Sequence, residues 1–283
     1  MIIPAQKDDA LLADIRSAPE DGGGFHLWWL GQSGFLLKWR DRHLLLDPYL
    51  SDSLTKKYAG TDKEHIRLTE PCLDPARLDM IDVVTSSHNH TDHLDAETLR
   101  PLAAANPGLT LVLPEANIEF ARERLGAEPP LKYLGVDDAE KVWTGGFLFT
   151  GIPAAHNEIK RDAEGRCRYL GFIISFGEWT IYHSGDTLWH DALPGLLRAH
   201  QPDLVLVPIN GNDPARRVAG NLNGTEAAAL AKACGAGLAI PHHYEMFGFN
   251  TAAPDEFEHA CQRLSQPCRV LHCGERLSWP ATG

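Results

Sequence analysis

Ser87-His88-Asn89-His90-Thr91-Asp92-His93 follows directly on the apolar run Asp82-Val83-Val84-Thr85. Four side chains able to ligate a metal ion fall within six residues, at the end of what reads as a buried strand. On extended backbone, residues two apart point the same way, so His88 and His90 can address one ion. If the chain then turns, Asp92 and His93 can address a second. Imidazole and carboxylate donors suit Zn, Mn or Fe. A bare His-x-His in a loop is ordinarily solvated; His-x-His-x-Asp-His after a hydrophobic strand is a metal-binding pattern.

Three further segments repeat the layout of an apolar run followed by a ligand-capable residue. They are Ile152-Pro153-Ala154-Ala155-His156, Trp179-Thr180-Ile181-Tyr182-His183-Ser184-Gly185-Asp186-Thr187, and Leu238-Ala239-Ile240-Pro241-His242-His243-Tyr244. Strand ends gathered at one edge of a sheet are where α/β enzymes build their sites. Around these segments lie other short apolar runs at Leu27–Leu30, Gly34–Leu37, Leu44–Leu46, Leu109–Leu113, Phe147–Thr150, Tyr169–Phe176 and Leu204–Ile209. They read as strands, several with hairpin spacing. Helices are predicted over Asn117–Leu125, stopped by Gly126, over Thr225–Cys234 with Asn223 and Glu226 as a capping box, and over Pro254–Leu264. The mixture suggests two mixed sheets packed between helices. Residues 1–24 read as a leader, a short amphipathic stretch (Leu11, Leu12, Ile15) ending in Asp21-Gly22-Gly23-Gly24, and residues 25–283 as a single domain.

Composition narrows the field. With 26 Lys and Arg against 38 Asp and Glu, the 283-residue chain carries a formal charge of −12. Nucleic acid and anionic membrane are therefore not expected as partners, because both require a basic footprint. A small anionic substrate is still compatible, since bound metal supplies local positive charge. No apolar run has the length of a membrane span. Six scattered cysteines without a Cys-x-x-Cys pair read as reduced thiols, and a cytoplasmic location is expected.

The order His-x-His-x-Asp-His, then His, Asp and His resembles the metallo-β-lactamase fold superfamily of metal-dependent hydrolases. Trp29-Leu30-Gly31-Gln32-Ser33-Gly34-Phe35, Leu46-Asp47-Pro48-Tyr49-Leu50-Ser51, Pro208-Ile209-Asn210-Gly211 and Pro241-His242-His243-Tyr244-Glu245-Met246-Phe247 resemble its L-ascorbate-6-phosphate lactonase-like branch. The resemblance runs from about residue 26 to 247. It implies an α/β (α+β) four-layer αββα sandwich and two divalent metal ions, Mn or Zn with Fe as a further candidate. By the same resemblance His88, His90 and His156 would hold one ion, Asp92, His93 and His243 the other, and Asp186 would bridge them. His242 and His243 compete for the last place; family members commonly read Pro-x-His there, which favours His243. His183 and His242 then fall behind the ligands. Asp47 is either a turn residue before Pro48 or a support for the site from behind the ligands.

The activity implied is hydrolysis by a metal-activated water of a lactone or ester, including a phosphorylated sugar lactone. Asp92 or Asp186 would serve as the proton acceptor. Neither Ser33 nor Ser184 sits in a nucleophile elbow, which argues against a covalent route. A phosphodiesterase or nuclease on the same fold, and a metal-binding module without turnover, are the alternatives. For substrate contacts the candidates are Asn210, Arg216 and Arg217 in the polar loop 210–223, with Trp189 and Tyr244 at the mouth. The two arginines are either a phosphate grip or simply solvated, and Trp189 is either a contact or core. Relatives often carry Arg directly after Asn-Gly, whereas this chain has Asn212. The expected partner is a small molecule, and a homo-oligomer is expected from the resemblance.

Overall fold

Apolar runs that barely alternate and end at Gly, Arg or Asp form strands covered on both faces. In the structure, a computed structural model that describes residues 1–20 and 23–280, these runs become two sheets. The first holds β1 (Phe25–Gly31), β2 (Gly34–Trp39), β3 (Arg42–Leu46), β4 (Val83–Thr85), β5 (Thr110–Pro114) and β6 (Lys132–Val136). The second holds β7 (Lys141–Thr144), β8 (Phe147–Pro153), β9 (Leu170–Phe176), β10 (Trp179–His183), β11 (Leu204–Pro208) and β12 (Leu238–His242), and β13 (Arg276–Trp279) returns to the first. Their orders are β13-β1-β2-β3-β4-β5-β6 and β12-β11-β10-β9-β8-β7. Each sheet is antiparallel through its hairpins, and parallel from β3 to β6 and from β10 to β12.

The sheets pack face to face through large rings. Phe25 meets Phe176 edge-on at 5.3 Å, and Trp39 lies 5.6 Å from Phe176 and 6.4 Å from Phe147. Helices α1 (Asp8–Ser17), α2 (Ser53–Tyr58), α3 (Ala96–Ala105) and α4 (Ile118–Leu125) connect with the first sheet. On the second sheet α5 (Leu193–Arg198) and α6 (Gly224–Cys234) form the outer layer, with α7 (Asp255–Leu264) packed on α6. The result is the expected helix–sheet–sheet–helix sandwich. Local signals hold where they are strongest: Asn223 Oδ1 accepts from the Glu226 amide at 2.8 Å and Glu226 Oε2 accepts from the Asn223 amide at 3.0 Å. Gly126 ends α4 with φ 75°.

Several elements depart from the sequence expectation. The stretch assigned to a leader is α1, whose Leu11, Leu12 and Ile15 are buried in the common core. Trp28 Nε1 donates to Asp14 at 2.8 Å, and the buried Lys38 ammonium donates to the Ala18 carbonyl at 2.9 Å. The Asp21-Gly22 part of the break assigned after it lies outside the described residues. Strands β6, β7 and β13 are half-exposed, so no apolar run announces them. Helix α3 carries Pro101 within it, and α2 and α5 span only six residues each. Among the described residues no helix is long and apolar enough to cross a membrane.

Candidate metal centre

The ends of β4, β8, β10 and β12 open onto one edge of the sandwich. The loop after β4 coils tightly: the amides of His93 and Leu94 both donate to the His90 carbonyl, at 3.2 and 2.9 Å. This coil carries His88, His90, Asp92 and His93 on one side of the cleft. His156 after β8, Asp186 after β10 and His243 after β12 arrive from the other sheet.

The seven residues meet. Ligand atoms of His88, His90 and His156 lie within 4.8 Å of one another, as do those of Asp92, His93 and His243, and of His88, His93 and Asp186. Asp186 sits between the first two groups. Its Oδ1 is 2.9 Å from His243 Nε2 and 3.3 Å from His93 Nε2, and its Oδ2 is 3.6 Å from His156 Nε2. The sequence left His242 and His243 in competition, and the backbone separates them. His243 adopts φ 65° and turns its ring to Asp186, whereas His242 continues β12 inward against Ser33, Phe35 and His183.

The donor chemistry fits a cation. The Gly220 carbonyl, 2.9 Å from His156 Nδ1, can only accept, so that nitrogen carries the proton. His93 Nδ1 lies 2.7 Å from Asp47 Oδ2, which likewise can only accept while ionised. Ser87 Oγ donates to Asp47 and so accepts from His88 Nδ1 at 3.0 Å. Three imidazoles are thereby oriented with their Nε2 atoms facing the same space as two carboxylates. Burial opposes a charge on His93, but Asp186, Asp92 and Asp47 hold it well above its ordinary pKa, so an ion there would take the place of its Nε2 proton. Buried His88 Nε2, His93 Nε2 and Asp186 Oδ1 have no hydrogen-bond partner. Such convergence of buried metal-ligating atoms is costly unless a positive charge, a proton or an ion, shares them. Burial and neighbouring imidazoles push His88 well below its ordinary pKa and His90 to about 4, keeping both rings neutral as ligands must be. Asp186 stays well below the usual carboxylate range: burial opposes ionisation, but the His243 and His93 rings outweigh it.

Behind the ligands, Asp47 is fully buried and has φ 38°. Its carboxylate accepts from Thr85 Oγ1 at 2.7 Å, from the Ser87 amide at 3.0 Å, and from Ser87 Oγ and His93 Nδ1. Burial raises its pKa, but the hydrogen bond from His93 and the nearby His183 and His93 charges more than offset this and hold it at about 2. Of the two readings of Asp47, the structure places it behind the ligands. His183 Nε2 contacts the Ser33 carbonyl at 2.9 Å, also away from the ligand space. Gln32 was quoted only as part of a motif, yet its φ of 51° brings its Nε2 to 2.9 Å from Asp92 Oδ2 and 3.0 Å from His243 Nδ1. The Gln-Ser between Gly31 and Gly34, a tight turn after an apolar strand, was the available signal.

Gly185 turns the chain between β10 and Asp186 with φ 55°, and a Cβ there would run into Ser87. Gly185→Ala is expected to displace the Ser87–Asp47–His93 chain and lower bound metal and any hydrolysis by about 10–100-fold, the cost typical of losing a ligand's support. Metal content per chain, compared with the parent protein, checks this; unchanged content would refute it.

The expected substrate contacts are corrected. Tyr244 does not face the mouth: it is buried, stacks on Trp29 at 4.2 Å and donates its hydroxyl to the Leu271 carbonyl, because the His243 turn sends the next side chain into the core. Asn210 is buried and bonds to Asn221 and Asn250 at 3.0 Å each, tying loops together. Arg216 donates to the Asn210 carbonyl at 2.6 Å, Arg217 pairs with Asp62, and Trp189 is exposed. None of these five lines the cavity over the ligands, which has a volume of about 270 Å³. Its upper walls come instead from segments 54–65 and 247–250 and from Val218, Ala219 and Arg124.

Residues 42–244 match a family model described as Beta-lactamase superfamily domain. The chain is 24% identical over 265 residues to a protein of Aeropyrum pernix named UPF0173 metal-dependent hydrolase, covering 88% of this chain and 95% of that one. Among solved structures it is similar to the metallo-β-lactamase fold protein YhfI from Bacillus subtilis, with TM-score 0.66, 21% identity and coverage of 90% and 99%. It is also similar to an isothiocyanate hydrolase from Delia radicum gut bacteria, with TM-score 0.69, 18% identity and coverage of 91% and 100%. At these identities the two structures support the fold.

Proposed function

The chain belongs to the beta-lactamase superfamily domain family, and from that premise we propose that it is a metal-dependent hydrolase opening an ester or lactone bond in a small molecule. One observation carries the reading: three imidazoles whose Nδ1 atoms are taken up by neighbouring oxygens turn their Nε2 atoms toward two carboxylates in one buried space. His88, His90 and His156 would hold one divalent ion, Asp92, His93 and His243 a second, and Asp186 would touch both, with Mn or Zn as the metal.

Divalent ions bound there would lower the pKa of water from about 15.7 to about 7 and polarise a substrate carbonyl. The chain's own residues do the rest. Asp47 keeps the proton on His93 Nδ1, which leaves Nε2 as the atom this ring would offer to an ion. Gln32 steadies Asp92 through its Oδ2 and borders the cavity beside it. Asp92 and Asp186 both line the cavity, and either could take the proton of the attacking water and return it to the leaving alkoxide. Arg216 and Arg217 lie outside the cavity lining, so they give no support to a phosphorylated substrate.

Protein loaded with Mn or Zn is expected to hydrolyse members of a panel of sugar lactones and simple esters, and to lose that activity with a chelator. A panel left unchanged by fully loaded protein overturns the reading. Turnover of bis-p-nitrophenyl phosphate without any lactone or ester hydrolysis replaces it with a phosphodiesterase.

A further inference from the structure

The cavity above the ligands is lined by two unlike sets of side chains. One is aromatic. Tyr58 and His65 stack with centroids 4.7 Å apart and planes 25° from parallel, and Phe247 and Phe249 stand 5.0 and 5.2 Å from His65. All four line the hollow. Lys63 sets the tilt of these rings, because its carbonyl lies 2.7 Å from His65 Nδ1 and so fixes the proton on that nitrogen.

The other set is cationic and interleaves with the first, Lys57 Nζ lying 5.2 Å from the Tyr58 ring centroid. Lys57, Lys63 and Arg124 line the same hollow, and among the described residues none has a carboxylate within ion-pair distance. Their donors rest on neutral oxygens: Lys57 Nζ on Thr91 Oγ1 at 3.2 Å, Lys63 Nζ on the Arg217 carbonyl at 2.6 Å, and Arg124 Nη1 on the Asn89 carbonyl at 2.7 Å. The carboxylates that border the cavity, Asp92 and Asp186, belong to the ligand set. In a chain of net charge −12 this rim reverses the local sign, and a concave site with one sign of charge concentrates ligands of the other. Bidentate or point contacts to an anion are available from these groups without breaking a salt bridge.

Taken together, the geometry points to a substrate that is a small carboxylate-bearing ester or lactone with a flat, unsaturated body. Its ring lies against Tyr58, His65, Phe247 and Phe249, and its carboxylate reaches Lys57 and Lys63, which leaves the scissile carbonyl over the ligand cluster. The volume of about 270 Å³ falls just below the range of about 300–1,000 Å³ typical of drug-sized sites and suits a one-ring acyl compound. This inference rests on the hydrolase reading above. The reaction balances without a further reagent: the water oxygen bonds to the acyl carbon, the acyl C–O bond breaks, and the leaving oxygen takes the proton.

Two measurements separate this inference from the reading it rests on. In the first, metal-loaded protein acts on 4-acetoxybenzoate and on its uncharged methyl ester at low ionic strength. The charged ester is expected to have a kcat/KM at least about tenfold higher, with the ratio falling toward one in a Lys57→Met/Lys63→Met double variant and at high salt. In the second, calorimetry compares benzoate with benzamide on the loaded protein. Benzoate is expected to bind about tenfold tighter, an advantage lost in the double variant; circular dichroism and metal content confirm that this variant is folded and loaded. Esters cleaved with no preference for charge, or a preference that survives the lysine replacements, overturn the inference and leave the hydrolase standing. Benzoate and benzamide binding alike overturns it too. Lysine-dependent benzoate binding with no ester turned over upholds the anion site and counts against the hydrolase.

Discussion

Asp186→Asn lowers hydrolysis by about 10²–10⁴-fold and strips most of the bound metal. Asp186 faces three imidazole nitrogens at 2.9, 3.3 and 3.6 Å, and lies between the His88, His90 and His156 group and the Asp92, His93 and His243 group. Asparagine keeps the shape and removes the charge. Breaking a buried charged network in this way costs about 3–5 kcal/mol, and each 1.36 kcal/mol is a factor of ten. The amide could also turn an N–H₂ group, which cannot ligate, toward the ions. Metal atoms per chain and kcat/KM on the best substrate of the ester panel are the two readouts. Retention of both at the parent level would show that Asp186 is not a ligand.

Asp47→Asn acts one layer further back and on two quantities. The hydrogen bonds from Thr85, Ser87 and His93 all point toward Asp47. An asparagine amide there faces donors with a donor, so His93 loses its fixed tautomer, and metal affinity and activity are expected to fall by about 10–100-fold. Stability falls as well, with a definite dependence on pH. The Asp47 carboxyl titrates at about 2 in the fold against an ordinary value of 3.8. A group whose folded pKa is depressed stabilises the fold where it is ionised in both states. Its contribution is therefore complete above about pH 5 and is lost as pH falls below 4 toward 2. At 1.36 kcal/mol per unit this amounts to about 2 kcal/mol. Urea titrations of parent and variant at steps between pH 8 and pH 3 should give a constant difference that shrinks only below pH 4. A difference that grows on acidification would contradict this account of Asp47.

The clustering of these seven residues was legible because their chemistry is concentrated. Four of seven groups occupy one six-residue loop, and the other three each follow an apolar strand, so the residue types and their order suffice without knowing any distance. The sheets were legible for the same reason, since buried strands are apolar along their length. Strands β6, β7 and β13 were not, because half-exposed edge strands such as Lys141–Thr144 carry mixed side chains that resemble loop. The cavity walls were the least legible. Tyr58 and His65 share a mixed, polar segment with no motif and Phe247 lies far along the chain; only packing brings the His65 ring to 4.7 Å from Tyr58 and 5.0 Å from Phe247. Tyr244 misled for a complementary reason: it adjoins His243, but adjacency along a turn with φ 65° places the two side chains on opposite sides.

The division of the ligands between two sheets bears on when the site forms during folding. His88, His90, Asp92 and His93 hang from the first sheet, while His156, Asp186 and His243 hang from the second, and His243 lies more than half the chain away from His88. Each sheet alone offers an incomplete set, so no early local intermediate can assemble the whole centre. Contacts of such long sequence separation carry the loop-closure entropy of everything between them and form late. An ion seated there would join the two halves after docking and would act as a latch on the finished sandwich, slowing its opening more than it speeds its formation.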